Sequence, residues 1–464
     1  MRQPTFPRSF RLLPLFTSAS PWNQTVKAVV ADSDNQRVML VAFDNLRELS
    51  WTTLAKKQSD LIKLLTSGIT SGTDVDDLRK AISDKQDALK IVNGLDRGGI
   101  ETLQIGCSEY TFPIFPIRDQ DGNRKQAGIR MKTYDDESWQ PPYSRRREVG
   151  GIWIAEDVPI PAGRFRPSSP VGADSDGSVI LYDDITFEEF DFWQVTTSHT
   201  PGETGGGHEG AAILEAGSIA RFDTKGMGAR IPPDPEPLGS SRASGLPYLG
   251  GLLVPEDFED GTNAVIQHAL AFTFPRSRFF PFRAPGDPPD YIYPAVKSET
   301  AFFIQNPYAL AAGMRIRLKT TIKNAILKNG KIQEIELPMD QWNTLPPAVR
   351  IFLTALHDYG AFLVDGAEGF GIAAEDKETA VMDEHVVEKL IHGTVREKET
   401  PWESLMETIN EYLSWKLFLP PTETAVVPPA KTAAGSGLPL GFYRKQENFF
   451  WTNFEVVLPL EIPR

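Results

Sequence analysis

The sequence predicts a mainly β protein, of sandwich, jelly-roll or barrel-like type, with helical insertions and α+β character toward its C-terminal part. Three observations lead there. Short runs of β-branched and aromatic residues recur between turn signals through the middle of the chain. The 37 glycines and 37 prolines supply those turns. Apolar residues at three- and four-residue spacing are confined to a few segments. No repeat of fixed period is visible, which removes propellers and solenoids.

At 464 residues the chain exceeds the size at which one hydrophobic core usually stops growing, so one elaborated domain or two closely packed ones are expected. Residues 1–17 read as a weak or trimmed leader, basic and then briefly apolar, with Pro14 interrupting the run. A β-rich core is expected over 18–376, with a helical insertion at about 50–95. A C-terminal extension of helix, linker and returning strand follows over 377–464.

Taken in order, Thr25 to Ala31 and Arg37 to Phe43 are apolar runs around Asp32-Ser33-Asp34-Asn35 and predict a β-hairpin. Leu54 to Leu65 and Asp74 to Ile91 carry helical spacing. Ser178 to Asp183 and Glu189 to Thr197 are the clearest strands. The segment 347–359 predicts a helix, with Val349, Phe352, Leu353 and Leu356 on one face and Gly360 as its stop; the strand Ala361 to Asp365 follows. Thr400-Pro401-Trp402-Glu403 has the composition of a capping box and opens a helix to about Leu417. Pro420 to Gly437 is a linker, and Phe449 to Leu460 a last strand.

The formal charge of −14 argues against duplex-binding or anionic-membrane partners, which need clustered Lys and Arg. Arg145-Arg146-Arg147, beside Asp135, Asp136 and Glu137, reads as a solvated loop. No apolar run approaches a membrane span. One cysteine, Cys107, excludes an intramolecular disulfide and a Cys-based zinc cluster, and its setting predicts a core thiol. Six histidines, of which only His199 and His208 lie close together, give no metal-ligand pattern, and no cofactor is expected. Gly202 to Gly210 lacks the Gly-Lys-Ser/Thr ending of a phosphate loop.

The richest chemistry lies in Phe190-Asp191-Phe192-Trp193-Gln194. On a strand Asp191 and Trp193 share a face, and a carboxylate beside an indole furnishes sugar sites, the ring stacking on a pyranose while the carboxylate takes hydroxyls or acts as acid, base or nucleophile. A core Trp with a surface Asp is the bland alternative. Asp365 ends an apolar strand, where desolvation suits a general acid, or else it caps a turn with Gly366. His268, in Ile266-Gln267-His268-Ala269-Leu270, faces either the core or a pocket.

Ser20-Pro21-Trp22-Asn23, Asp176-Gly177 with Asp-Phe-Trp-Gln, Ala243-Ser244-Gly245-Leu246-Pro247 with Gly250-Gly251-Leu252, His268-Ala269-Leu270-Ala271-Phe272, and Tyr359-Gly360-Ala361 with Asp365 together resemble a family of mostly exported bacterial and fungal proteins. The likeness spans about 18–376, outside the helical insertion. It implies that these islands belong to one fold and that export, to the periplasm or the medium, is common; it carries over no catalytic residue.

The sequence therefore leads to a carbohydrate-active enzyme, a glycoside hydrolase with two carboxylates drawn from Asp191, Asp365 and Glu256, acting on a poly- or oligosaccharide. Trp22, Asn23, Trp193, Gln194 and Tyr248 are the expected sugar-binding residues. A neighbouring reading is a polysaccharide lyase with His268 as base. The competing class is non-catalytic: a glycan-binding protein stacking sugars on Trp22, Trp193 and Tyr248, or a structural assembly component.

Overall fold

A computed structural model describes residues 12, 14–32, 35–67, 75–76, 78–79, 82, 103–108, 111–118, 129–131, 146–149, 152–155, 177–197, 214–229, 242–300, 303–328, 331–367, 369–414, 446–447 and 453–457. It is a mainly β fold of several sheets with helical insertions. His199, His208, Asp176, the Gly202–Gly210 loop and the Pro420–Gly437 linker lie outside the described residues, as does most of the segment 74–91.

A six-stranded mixed sheet forms the centre. Its strands are β1 (Gln104–Gly106), β6 (Leu270–Phe274), β7 (Arg315–Leu318), β8 (Ala361–Gly366), β9 (Gly371–Ala373) and β10 (Phe454–Val457), in the spatial order β1-β9-β6-β8-β7-β10. β6 and β8 are parallel neighbours, as are β1 and β9; the other pairs are antiparallel. A second sheet has the order β5-β4-β3-β2, built from β2 (Ile114–Pro116), β3 (Val179–Asp183), β4 (Glu188–Trp193) and β5 (Ser218–Asp223). Further pairings include a five-stranded sheet containing Arg146–Val149, so Arg146 and Arg147 stand in a strand and not in the expected solvated loop.

Strand alternation sets the layers. Leu270, Phe272, Ala361, Leu363 and Ile372 turn to one face of the central sheet, where they pack with Phe352, Leu356, Val387, Trp402 and Ile409 from α2 (Pro347–Asp358), α3 (Glu384–Ile391) and α4 (Pro401–Ser414). Ala269, Ala271, Phe362 and Val364 turn to the other face. There they meet Trp22, Leu246, Tyr248 and Leu252, and beyond them Ile114, Ile180 and Tyr182 of the second sheet. The outer face of that sheet buries Val179, Leu181, Phe190 and Phe192.

The C-terminal elements are built into this core. Asn410 of α4 brackets Ile105 of β1, its Oδ1 accepting from the Ile105 N–H (2.8 Å) and its Nδ2 donating to the carbonyl (2.9 Å). Thr400 caps α4, its hydroxyl accepting from Glu403 N–H at 3.1 Å as the capping signal predicts. Cys107 is buried, and burial pushes its thiol up to about 12, with Glu403 and Glu407 adding to the effect.

One expected element is replaced. The hairpin read at 25–43 is instead the start of α1 (Asn35–Thr66), a 32-residue helix. The apolar run Val38-Met39-Leu40-Val41-Ala42-Phe43 suits a strand by composition, but periodicity in so short a run does not distinguish strand from buried helix. Long-range contacts decide it: Val38 and Ala42, one helical turn apart, enter the core, and Asn35 Oδ1 accepts from Val456 N–H of β10 at 2.6 Å.

Candidate functional site

β4 reads Glu-Glu-Phe-Asp-Phe-Trp. Alternation sends Phe190 and Phe192 outward and turns Glu189 and Asp191 into the layer between the two sheets, where both are fully buried. The loop 242–251 closes over them. Its consecutive amides each donate to one carboxyl group: Tyr248 N–H to Asp191 Oδ2 (2.8 Å) and Leu249 N–H to Glu189 Oε1 (2.7 Å). The two acids lie two residues apart on one face of the strand, so each carboxyl group acts electrostatically on the other.

Burial pushes Asp191 well above the carboxylate range, and Glu189 beside it pushes further in the same direction. Burial raises Glu189 to about 7, against the opposing influence of Asp191 and the Leu249 N–H. Both acids are thus shifted toward their neutral forms.

Arg242 supplies balancing charge; its Nη1 donates to the carbonyls of Pro247 (2.7 Å) and Gly250 (3.0 Å), and its Nη2 to that of Tyr248 (3.1 Å). Its guanidinium lies 5.2 Å from the Phe112 ring centre and 5.4 Å from that of Tyr248. Burial lowers its pKa, and Asp191, Asp365 and Glu189 act against that. The loop needs its glycines to pack this closely. Gly251 has φ +72°, and a Cβ there would lie 2.5 Å from Ala271 N.

Asp365 is placed differently. It is half-buried near the carboxyl end of β8, opposite Thr273 of the parallel β6, where the pairing register slips by a β-bulge. Its Oδ1 accepts from Gly366 N–H (3.0 Å) and more weakly from Ala243 N–H (3.4 Å), the residue after Arg242. Bulges re-aim side chains, and carboxyl ends of parallel strands in mixed α/β sheets are common ligand positions.

His268 and Glu256 sit at the other end of β6. His268 is buried; its Nε2 faces Asp257 Oδ1 and its Nδ1 the Ala269 carbonyl, both at 3.0 Å. With an acceptor at each nitrogen the ring is doubly protonated. Burial lowers its pKa, but Asp257 outweighs this and the net shift is upward. Glu256, half-buried, accepts from Leu12 N–H at 3.0 Å. At ~3.3 Å per residue, Leu270 to Thr273 alone separate this group from Asp365 by about 10 Å, beyond a paired-carboxylate spacing of roughly 5–9.5 Å.

No family model, curated protein or solved structure matches this chain. Its own geometry is therefore the ground for any reading of function.

The expected sugar-binding residues fall into two groups. Trp22 and Tyr248 are each 1% exposed and present no ring face to solvent. Trp22 donates from Nε1 to the Gly228 carbonyl (2.7 Å) and packs edge-on against Phe362. Ser20 caps the short turn of Pro21–Asn23, and Asn23 Nδ2 staples the carbonyls of Leu15 and Thr17, both at 2.9 Å. Trp193 and Gln194 are half-buried at the end of β4, Gln194 with φ +54°. Among the described residues no group of three His, Cys, Asp or Glu side chains is placed to hold a metal ion, and no helix is long and apolar enough to cross a membrane.

Glu189, Arg242 and Asp257 were not singled out by sequence reasoning. Glu189 had a signal: two acids at a spacing of two in an apolar strand must share a face, and one inward-facing acid takes the other with it. Arg242 had none, since its partners are carbonyls of its own loop and carboxyls on strands far away in sequence.

Proposed function

We propose that this chain is a carbohydrate-active hydrolase acting on a poly- or oligosaccharide at the carboxyl end of β6 and β8, with Asp365 as the carboxylate that meets the sugar. The supporting observation is the placement of Asp365, reaching solvent at a bulge where two central parallel strands end, while Asp191 is sealed inside. In this reading Asp365 takes the proton of the water that adds to the anomeric carbon, while the departing sugar oxygen takes its proton from solvent as the glycosidic bond breaks. Asp191, Glu189 and Arg242 are positioning residues that hold the loop carrying Ala243 against it. His268, with both ring N–H groups engaged, offers no lone pair to abstract a proton, which disfavours the lyase variant.

The test is incubation of the purified chain with neutral and acidic polysaccharides, following new reducing ends and absorbance of unsaturated products. Reducing ends without absorbance are expected, with Asp365→Asn lowering kcat by roughly 10²–10⁴-fold and Asp191→Asn leaving it within a few-fold. Activity that survives Asp365→Asn refutes the site.

A second reading, a non-catalytic glycan-binding or assembly protein, is favoured by one observation, that Asp191 is sealed in the interior; of the three rings expected to stack sugars, the burial of Trp22 and Tyr248 leaves only Trp193 for it. Glycan binding with no turnover across the panel would select it.

A further inference from the structure

Just beyond the carboxyl end of β6, the chain buries a second arginine in a different manner. Arg278 is 4% exposed, in the short strand Ser277–Arg278 that pairs with Phe303–Ile304. Its guanidinium makes one hydrogen bond to a described residue, Nη1 to the Pro307 carbonyl at 2.7 Å. Nε is buried without a partner, and no described acceptor meets Nη2. Those two N–H groups form the edge of the guanidinium that grips both oxygens of an acid.

The nearest acid does not fill that role. Asp290 faces Arg283 Nη2 (2.9 Å) and the Phe280 N–H (3.0 Å). It reaches Arg278 only as a field, which Arg283 opposes, and burial, the larger influence, lowers the Arg278 pKa. Two hydroxyls of the same region, Ser277 Oγ and Tyr293 OH, are likewise buried and unpartnered. The segment 310–312 holds both stretches in place, the Leu310 carbonyl accepting from Arg278 N–H (2.7 Å) and that of Ala312 from Ile292 N–H (2.9 Å).

The chain itself provides the control. Arg242 and Arg315, the other deeply buried arginines among the described residues, direct three or more donor contacts to carbonyl oxygens. An arginine retained for structure is saturated here, whereas a buried charge with its fork unused is a cost that a ligand removes.

We infer that Arg278 is an anion-recognition residue, receiving the carboxylate of a small acidic ligand through Nε–H and Nη2–H. It lies at the same end of the central sheet as Asp365. Val296 N–H donates to the Ser244 carbonyl and Ser244 N–H to that of Val364, while Ser298 Oγ donates to the Arg278 carbonyl, so one short stretch braces both positions. The assignment of that carboxylate to a uronic acid rests on the glycan reading; anion recognition by Arg278 does not. The overall charge of −14 repels a long polyanion, so a short ligand carrying few acid groups fits best.

The test uses the full chain, calorimetric titration and thermal unfolding, with glucuronate, inorganic phosphate and glucose as probes. Saturable glucuronate binding that raises the melting temperature is expected, with glucose silent and phosphate weaker. Arg278→Lys keeps the charge but not the fork and should weaken glucuronate at least ~10-fold. Arg278→Met should abolish binding while the ligand-free protein melts no lower than wild type, because no saturated clamp is lost. Glucuronate binding unchanged in Arg278→Lys, phosphate binding the tighter, or glucose binding equally well overturns the assignment. So does collapse of Arg278→Met, which would mark a structural clamp. Reducing-end release and its loss in Asp365→Asn are measured separately, so failure of the hydrolase reading and failure of this one are distinguishable.

Discussion

Asp183 and Asp191 stand on adjacent antiparallel strands, both fully buried and both near an arginine, yet their acidities shift in opposite directions. Burial alone would raise Asp183, but Arg118 grips it with Nε on one oxygen and Nη2 on the other, both at 2.7 Å, and the N–H groups of Ile185 and Thr186 join them, holding it at about 2. Asp191 accepts from the Tyr248 N–H beside an acid neighbour, with Arg242 close by. The balance makes the difference: at Asp183 a bidentate fork and two backbone N–H groups outweigh burial, while at Asp191 burial and the neighbouring Glu189 outweigh the Tyr248 N–H and Arg242.

That contrast yields predictions of decreasing size. Arg242→Met leaves the acid pair without its cation and three carbonyls without donors, and should cost about 3–5 kcal/mol in urea unfolding; a loss under ~1 kcal/mol would show that the guanidinium does not balance the pair. Asp183→Asn should cost about 2 kcal/mol near neutral pH, with a smaller cost as pH approaches 2, since the native carboxylate is by then being protonated. Asp191→Asn removes the charge that burial and Glu189 disfavour while keeping an oxygen for the Tyr248 N–H, and should cost under ~1 kcal/mol. An Asp191→Asn penalty equal to that of Asp183→Asn would erase the comparison.

The smallest effect is a slope. Native Glu189 and Asp191 are raised above their unfolded values, so the native state holds more protons than the unfolded chain. The stability they contribute is fully present below about pH 4 and is lost as pH rises through about 7. Asp183 runs oppositely, contributing above its ordinary 3.8 and losing that as pH falls through about 2. Glu189→Gln should flatten the decline between pH 4.5 and 7 in denaturation series taken at stepped pH; superimposable profiles would show that Glu189 does not carry the slope.

How far the sequence could be read follows from where the deciding forces lie. α2 and β8 were legible because a capped amphipathic run and an apolar strand are local signals, and both lie within a residue of their expected limits. β3 and β4 were legible for the same reason. α1 was not, because its first turns are specified by β10, some four hundred residues along the chain. α3 was missed although Asp383 caps it, its Oδ1 accepting from His385 and Val386 N–H; eight residues give little periodicity to detect. At the candidate site, the shared face of Asp191 and Trp193 follows from the strand, but which way that face turns depends on Leu249, Tyr248 and Arg242 arriving from a distant loop. A carboxylate in an apolar strand looks the same in sequence whether it enters a pocket or a sealed interior.

The order of the central sheet has a consequence in time. β1 begins at Gln104 and β10 ends at Val457, yet both belong to one sheet whose middle strands lie between them in sequence. Pairings of such long separation form slowly, because loop entropy is lost before contacts reward it. On a ribosome the edge beside β7 stays open until the last strand emerges, and α1, made much earlier, waits longer still for the Val456 N–H that donates to Asn35 Oδ1 in its first turn. A nascent chain of this protein therefore carries an exposed sheet edge from the making of β7 until the end of its synthesis is near, which marks it as a substrate for holding chaperones.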